Sequence, residues 1–468
     1  MNRCRPIIFG TAIALCGLVG YTAPAEASQP RVTPEVRRVT LGNGMKLWLE
    51  ENNEQPILAY SLIIDAGPQY DPPGQSGLAR ATLRAVSLAS GDRDETAQQR
   101  WLDSLGAELT HSVSHDGARL TAVFNSRELI SSVRFFRDLF TAPRFDSVSM
   151  NNLLRRMVTS ATQLRDVGLP YMPEVARQAL YRGTSLASSI WGSAKSFSAM
   201  TTSDIRAFYD RYYTPERVTL VVSGDFDTKR LQYELSLAFN IIPGSSAERD
   251  TTTVAIAPSR DTTGKYRIYL IDQPGAVAAQ IGVYAPLASA YDSSFAGEMS
   301  LAYILAGAGE LSLIGQELIT ERALVSTIDA ETPFSRHGSV AEIMLACPTD
   351  AVAETIERTL AWLGRARDTR LSKRDLEDTK RRFAGRFGLA FETALMTSER
   401  LADLAQAGMD YRAHDALLLA QEALTPDKMQ GLAQRMFAPA NVMVVVLGDA
   451  ERYREALRAF GDVTVVTD

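Results

Sequence analysis

At 468 residues the chain is long for one domain, and a 46% hydrophobic content supplies more than one core. A net charge of −6 with only 22% charged residues excludes a strongly basic nucleic-acid surface, and no basic stripe with interleaved aromatics interrupts the chain. Phosphate-cradling patterns, GxxxxGK[ST] or GxGxxG between a strand and a helix, are missing as well.

The first residues read as an address. Arg3 and Arg5 precede an apolar run from Pro6 to Val19, and Ala25-Glu26-Ala27 follows. A charged start, a short apolar stretch and an A-x-A site predict a secretory signal peptide over 1–27, cleaved after Ala27. The run is short for a membrane span, and Leu15 before Cys16 is too large for a lipoprotein site. No later stretch reaches the roughly 18 uninterrupted apolar residues of a span, so no membrane span is expected after signal removal. Cys4 and Cys16 leave with the signal, and Cys347 then has no partner for an intrachain disulfide. Packing must supply the stability.

Further on, Lys46–Glu50 and Ile57–Ala66 read as strands, ending in the turn-rich 67–77. Gly77–Leu88 and Glu95–Leu105 read as helices, the second closed by Gly106. Glu108–His115 and Arg119–Asn125 flank Asp116-Gly117, a two-residue hairpin signal. Helices are expected over Arg127–Phe140, Ser147–Gln163, Tyr171–Tyr181 and Ser203–Tyr212, before the strand Thr219–Ser223. A second half repeats this from Tyr266–Ile271 onward.

The repeat is visible in register. Without a gap, Thr201 falls on Thr425, Arg211 on Arg435, Pro215 on Pro439, Val218 on Val442, and Gly224-Asp225 on Gly448-Asp449. Two homologous halves of roughly 220 residues explain this. The expected fold class is α+β: two homologous α/β-sandwich domains, each a mainly antiparallel sheet with helices on one face. Domain boundaries are placed at 32–241 and 265–468, around a linker at 242–264 rich in Pro, Ser, Thr and Asp.

Several motifs then share one resemblance. Leu41-Gly42-Asn43-Gly44-Met45, Ala66-Gly67, Asp71-Pro72, Gly77-Leu78-Ala79, Leu105-Gly106-Ala107, Trp191-Gly192, Tyr213-Thr214-Pro215 and Gly224-Asp225 come in order. Asp272–Ala276 with Gln280, and Leu305–Arg322, continue them in the second half. Together they resemble the insulinase/pitrilysin-type (M16) metallopeptidase family in its short two-domain form. Active members carry H-x-x-E-H on a helix: two histidines bind zinc and the glutamate activates its water.

The motif positions here hold Arg80, Leu83 and Arg84, and Met157–Leu164, where the resemblance implies a third acidic ligand, contains no carboxylate. A guanidinium has no free lone pair and stays cationic, and leucine cannot accept a proton. No catalytic residue and no metal ligand is therefore assigned, and no cofactor is expected on this chain. By resemblance it is the non-catalytic subunit that pairs with an HxxEH-bearing zinc peptidase, in the periplasm of a Gram-negative bacterium, with a peptide as possible substrate.

Three roles are open for Arg80 and Arg84: salt bridges with Asp65 or Glu108, binding of an acidic or C-terminal carboxylate of a peptide, or contact with the partner subunit. The family's substrate-contacting Arg and Tyr in the second domain fall on Ile319 and Ser326. Two other function classes stay open. One is a non-enzymatic scaffold or peptide-binding module; the other is a peptidase using a different metal site at His111 and His115.

Overall fold

A computed structural model describes residues 32–244 and 264–466, the side chains of 165–167 excepted. The expected signal peptide and all but the ends of the expected linker lie outside these residues.

The first sheet contains β1 (Arg37–Thr40), β2 (Lys46–Glu51), β3 (Ile57–Ile64), β4 (Glu108–Ser114), β5 (Gly117–Asn125) and β6 (Val218–Gly224), in the order β1-β2-β6-β3-β5-β4. The second contains β7 (Tyr266–Asp272), β8 (Ala278–Leu287), β9 (Thr327–Glu331), β10 (Ser339–Pro348), β11 (Met443–Gly448) and β12 (Gly461–Val465), in the order β12-β7-β11-β8-β10-β9. Strands β6 and β11 therefore occupy the same place in their sheets. Each lies parallel to one neighbour and antiparallel to the other, so both sheets are mixed with antiparallel pairs in the majority. Two homologous α/β domains are what the repeat register led us to expect. At the outer edge the halves differ: β1 is antiparallel to β2, whereas β12 is parallel to β7.

Each half lays its own main helical layer on one face of its sheet, as expected, and the other face is covered as well. Strands β6 and β11 are apolar at nearly every position, the pattern of strands buried on both faces. In β6, Leu220 and Val222 face the core beneath the main helical layer, while Val221 faces the other side with Leu401, Ala402 and Leu404. Those three come from the helix Ala394–Gln406 of the second half. In β11, Val444 and Val446 face their own helical layer, while Met443, Val445 and Leu447 meet Met172, Val175 and Ala176. These belong to the helix Met172–Leu180 of the first half. Under the register that places Pro215 on Pro439, the two helices are equivalent. Each half lends the other the same cover, and the chain buries a second core per sheet without extra sequence.

Polar contacts secure the exchange. Gln406 Nε2 donates to Ser114 Oγ and to the Gly117 carbonyl, both at 2.9 Å. Tyr181 Oη donates to the Ser339 carbonyl at 2.6 Å. Arg119 pairs with Asp403 at 2.8 Å and Arg336 with Asp65 at 3.0 Å.

Local signals account for most element ends. Thr201 and Thr425 each cap a helix with the side-chain oxygen, as their matching positions imply. Gly224 and Gly448 close β6 and β11 with φ of +131° and +158°. A Cβ on Gly224 would lie 2.0 Å from the Ile57 carbonyl oxygen, so the strand end cannot take a side chain. The hairpin turn sits one residue earlier than Asp116-Gly117, at His115-Asp116, because Gly117 already pairs with Ser114. Strands β1 and β12 and the helices Ala194–Ala199, Thr228–Phe239 and Ala450–Leu457 have no counterpart among the expected elements, and the Ser147 helix runs on to Val167. Among the described residues no helix is long and apolar enough to cross a membrane.

Candidate functional site

Helix α1 (Leu78–Leu88) carries the motif positions. Asp71 anchors its first turn, accepting from the amides of Gly77 at 2.7 Å and Ala79 at 2.8 Å. Burial raises the Asp71 carboxyl to about 7 against the pull of those amides. Gly77 has φ +87°, and a Cβ there would lie 2.7 Å from Gly192 Cα and from the Phe197 ring. The Gly77 and Trp191-Gly192 motifs are thus one contact: the helix start is packed against the segment ahead of Phe197.

On the face of α1 turned to β4, Arg80 and Arg84 stand one turn apart and half-buried, with Leu83 fully buried beside them. The Arg80 guanidinium lies 4.2 Å over the Trp191 ring and donates to the Trp191 carbonyl at 3.3 Å. Arg84 donates from Nη1 to Nε2 of His111 on β4. Accepting that proton requires His111 to be neutral, in line with a pKa lowered to about 4 by burial and then by Arg84 and Arg80. Burial and the charge of Arg84 bring Arg80 down to about 10, and burial with Arg156 lowers Arg84. Arg156 comes from the Ser147–Val167 helix, the element that carries the third ligand by resemblance, and pairs with Glu95 at 3.1 Å.

Neither salt bridge anticipated for Arg80 and Arg84 forms. Asp65 is taken by Arg336, and Glu108 sits on an outward position of β4. Among the described residues no carboxylate pairs with either guanidinium. Sequence reasoning missed Trp191 and His111 as their supports. Trp191 was visible as a motif residue, whereas the contact of β4 with α1 depends on the sheet order.

A zinc ion does not fit these side chains. Two cations and a leucine offer it no lone pair, and its own charge would add to their repulsion. His111 and His115 do not make up for this. His111 accepts from Arg84, while His115 lies in the turn with Nε2 at 3.0 Å from the Ser188 carbonyl. Burial and Arg177 take His115 down to about 3. Among the described residues no three His, Cys, Asp or Glu side chains gather as a metal site.

In the second half, Ile319 packs against the core and Ser326 donates to the Ala346 carbonyl at 3.3 Å. The nearby Arg322 is held by Glu317 at 3.2 Å, which also accepts from Trp362 and Arg365, so it does not stand in for the arginine at 319. Between Ile319 and Ser326, Ala323 has a φ of +52°.

Comparison with known proteins gives the family. Residues 46–193 match the model of the insulinase family (peptidase family M16), and residues 199–383 match that of the peptidase M16 inactive domain. Cytochrome b-c1 complex subunit 1 of Bos taurus is 24% identical over 250 residues, 52% of this chain and 50% of that protein. A probable mitochondrial-processing peptidase subunit beta of Arabidopsis thaliana is 22% identical over 247 residues, 52% of this chain and 45% of that protein. The chain thus spans about half the length of these relatives. The crystal structure of a peptidase M16 inactive domain from Pseudomonas fluorescens superimposes with a TM-score of 0.78 at 17% identity, covering 89% of this chain and 98% of that one. Fold, repeat, motif order and family models agree: the chain belongs to the M16 peptidase family, in its two-domain form.

Proposed function

We propose that this chain is a non-catalytic M16 subunit. In this reading it is exported to the periplasm, pairs with a zinc-bearing M16 subunit, and contributes walls to the space in which that partner cleaves peptides. The observation that carries the proposal is the state of α1. Its Asp71 anchor and packed Gly77 are kept, while every position that would bind zinc or activate water holds Arg80, Leu83 or Arg84. A helix preserved in position without its chemistry suits a wall better than a catalyst. The zinc of the pair belongs to the partner.

Arg80 and Arg84 take the role of a carboxylate-binding surface toward the peptide. They are half-buried, held by Trp191 and His111, and lack an internal carboxylate, so an external anion would relieve their mutual repulsion. The experiment is to co-express the chain with an HxxEH-bearing M16 protein of the same organism, purify by a tag on this chain, and assay peptide cleavage alone and mixed. Joint purification with cleavage only in the mixture, abolished by a zinc chelator, is the expected result. A protein that stays monomeric and changes no partner's activity would sink the reading. The scaffold alternative rests on the likeness to a respiratory-complex subunit and predicts a stable complex whose peptidase activity does not rise on mixing.

A further inference from the structure

Strand β4 has two faces. His111 looks toward α1; Ser112 and Ser114 look the other way, into a cavity of about 440 Å³ between the first sheet and the second half. A cavity of this size lies within the usual range of small-ligand sites.

Its inner wall is aromatic. Tyr303 and Phe383 meet edge to face at 5.2 Å, and Phe383 leans on Phe387 at 4.7 Å. His414 continues the wall, its ring 5.1 Å from Phe387 and 5.5 Å from Phe334. It is 1% exposed, its Nδ1 has no hydrogen-bond partner, and burial with the charge of Arg400 keeps it neutral, near 4. The imidazole is therefore part of an uncharged aromatic lining.

The rim is cationic. Arg119 and Arg400 share Asp403, at 2.8 and 3.5 Å. Arg386 is different: it lies 5.7 Å over Tyr303 and donates to the Gly307 carbonyl at 3.1 Å, and no carboxylate pairs with it among the described residues. Glu331 is the other acidic residue of the lining, so three guanidiniums stand against two carboxylates. A backbone carbonyl and an aromatic face hold the Arg386 fork at the cavity rim, where its remaining N–H groups are open to solvent or to a ligand.

We infer that this cavity binds a carboxylate carried on a large apolar group, the apolar part against Tyr303, Phe383 and Phe387 and the carboxylate at Arg386. The C-terminal residue of a peptide and a free medium-chain acid share this chemistry. The site lies behind β4, away from Arg80 and Arg84, and stands whether or not a catalytic partner exists.

Calorimetric titration of the full chain with N-acetyl-phenylalanine, its neutral amide and decanoate tests the inference. The acid is expected to bind at least tenfold more tightly than the amide. Arg386→Gln should lower acid affinity about tenfold and leave the amide unchanged. Since Arg386 is exposed on its helix the variant should fold, which a thermal melt checks; Arg400→Gln, expected to weaken the acid less, is the second variant. Preference for N-acetyl-phenylalanine over decanoate would assign the peptide source, and the reverse the free acid; either supports the site. Equal binding of acid and amide, no binding of either acid, or an Arg386→Gln affinity equal to the parent's would overturn it.

Discussion

The chain treats half-buried arginines in two opposite ways, and the division runs through one sheet. On the face turned to the second half, cations are matched. Arg119 meets Asp403, and Arg336 donates to Asp65 and, through its backbone amide, to the buried Asp116. On the face turned to α1, Arg80 and Arg84 are held by an indole, a carbonyl and a neutral imidazole, and Glu95 acts on Arg84 without pairing with it. A charge taken from water without a counter-charge is destabilising. Arg119 and Arg336 are paired across the halves, whereas Arg80 and Arg84, unpaired and adjacent, cost stability where the structure itself has no use for them. The proposed external anion rests on this contrast.

The largest effect should come from breaking the matched set. Arg336→Met leaves Asp65 and Asp116 without their cation across the junction of the halves, and should cost about 3 kcal/mol, read from urea unfolding. Adding Asp116→Asn should restore part of it, since a neutral amide no longer needs the guanidinium. A loss below about 1 kcal/mol would mean that these pairs behave as surface bridges and that the contrast between the faces is empty.

A smaller change of opposite sign is expected on the other face. Arg80→Gln with Arg84→Gln removes two half-buried like charges and should raise stability by about 1 kcal/mol. The same variant should shift His111, held near 4 by burial and then by these arginines, upward toward 6.5, as followed by NMR titration of its ring protons. Between pH 6.5 and 4 the unfolded chain binds a proton at this histidine that the folded chain does not, so stability falls as pH falls through that window. The double variant should lose less over the same interval. Destabilisation at neutral pH would instead make the arginines internal struts and remove the argument for an external anion.

The smallest effect concerns the altered segment of the second half. Ala323 holds φ at +52°, a conformation glycine takes without strain. Ala323→Gly should stabilise by about 0.5–1 kcal/mol, measured as a shift in the thermal midpoint. An unchanged midpoint would show that the flexibility glycine adds to the unfolded chain cancels the relief, and that the segment keeps its shape at little cost.

Much of this was legible in the residues alone. The ungapped repeat announced two equivalent sheets, because a buried strand ending in Gly-Asp and a Thr-capped helix leave local marks wherever they recur. The loss of the zinc motif could be read from Arg80, Leu83 and Arg84, since whether a side chain has a lone pair depends on no neighbour. Strand β1 and the helix Thr228–Phe239 left no such mark that we could read, and His115 was placed on a strand when it occupies the turn. Other features depended on tertiary structure altogether. No local pattern says that the helix Ala394–Gln406 covers the first sheet while Met172–Leu180 covers the second, that Asp65 goes to Arg336 and leaves Arg80 and Arg84 without a carboxylate, or that the aromatic residues around His414 close a cavity behind β4. Element type follows from propensity and periodicity over neighbouring residues. The partner of a charge or of an apolar face is settled between residues hundreds of positions apart, where only the assembled sheets bring them together.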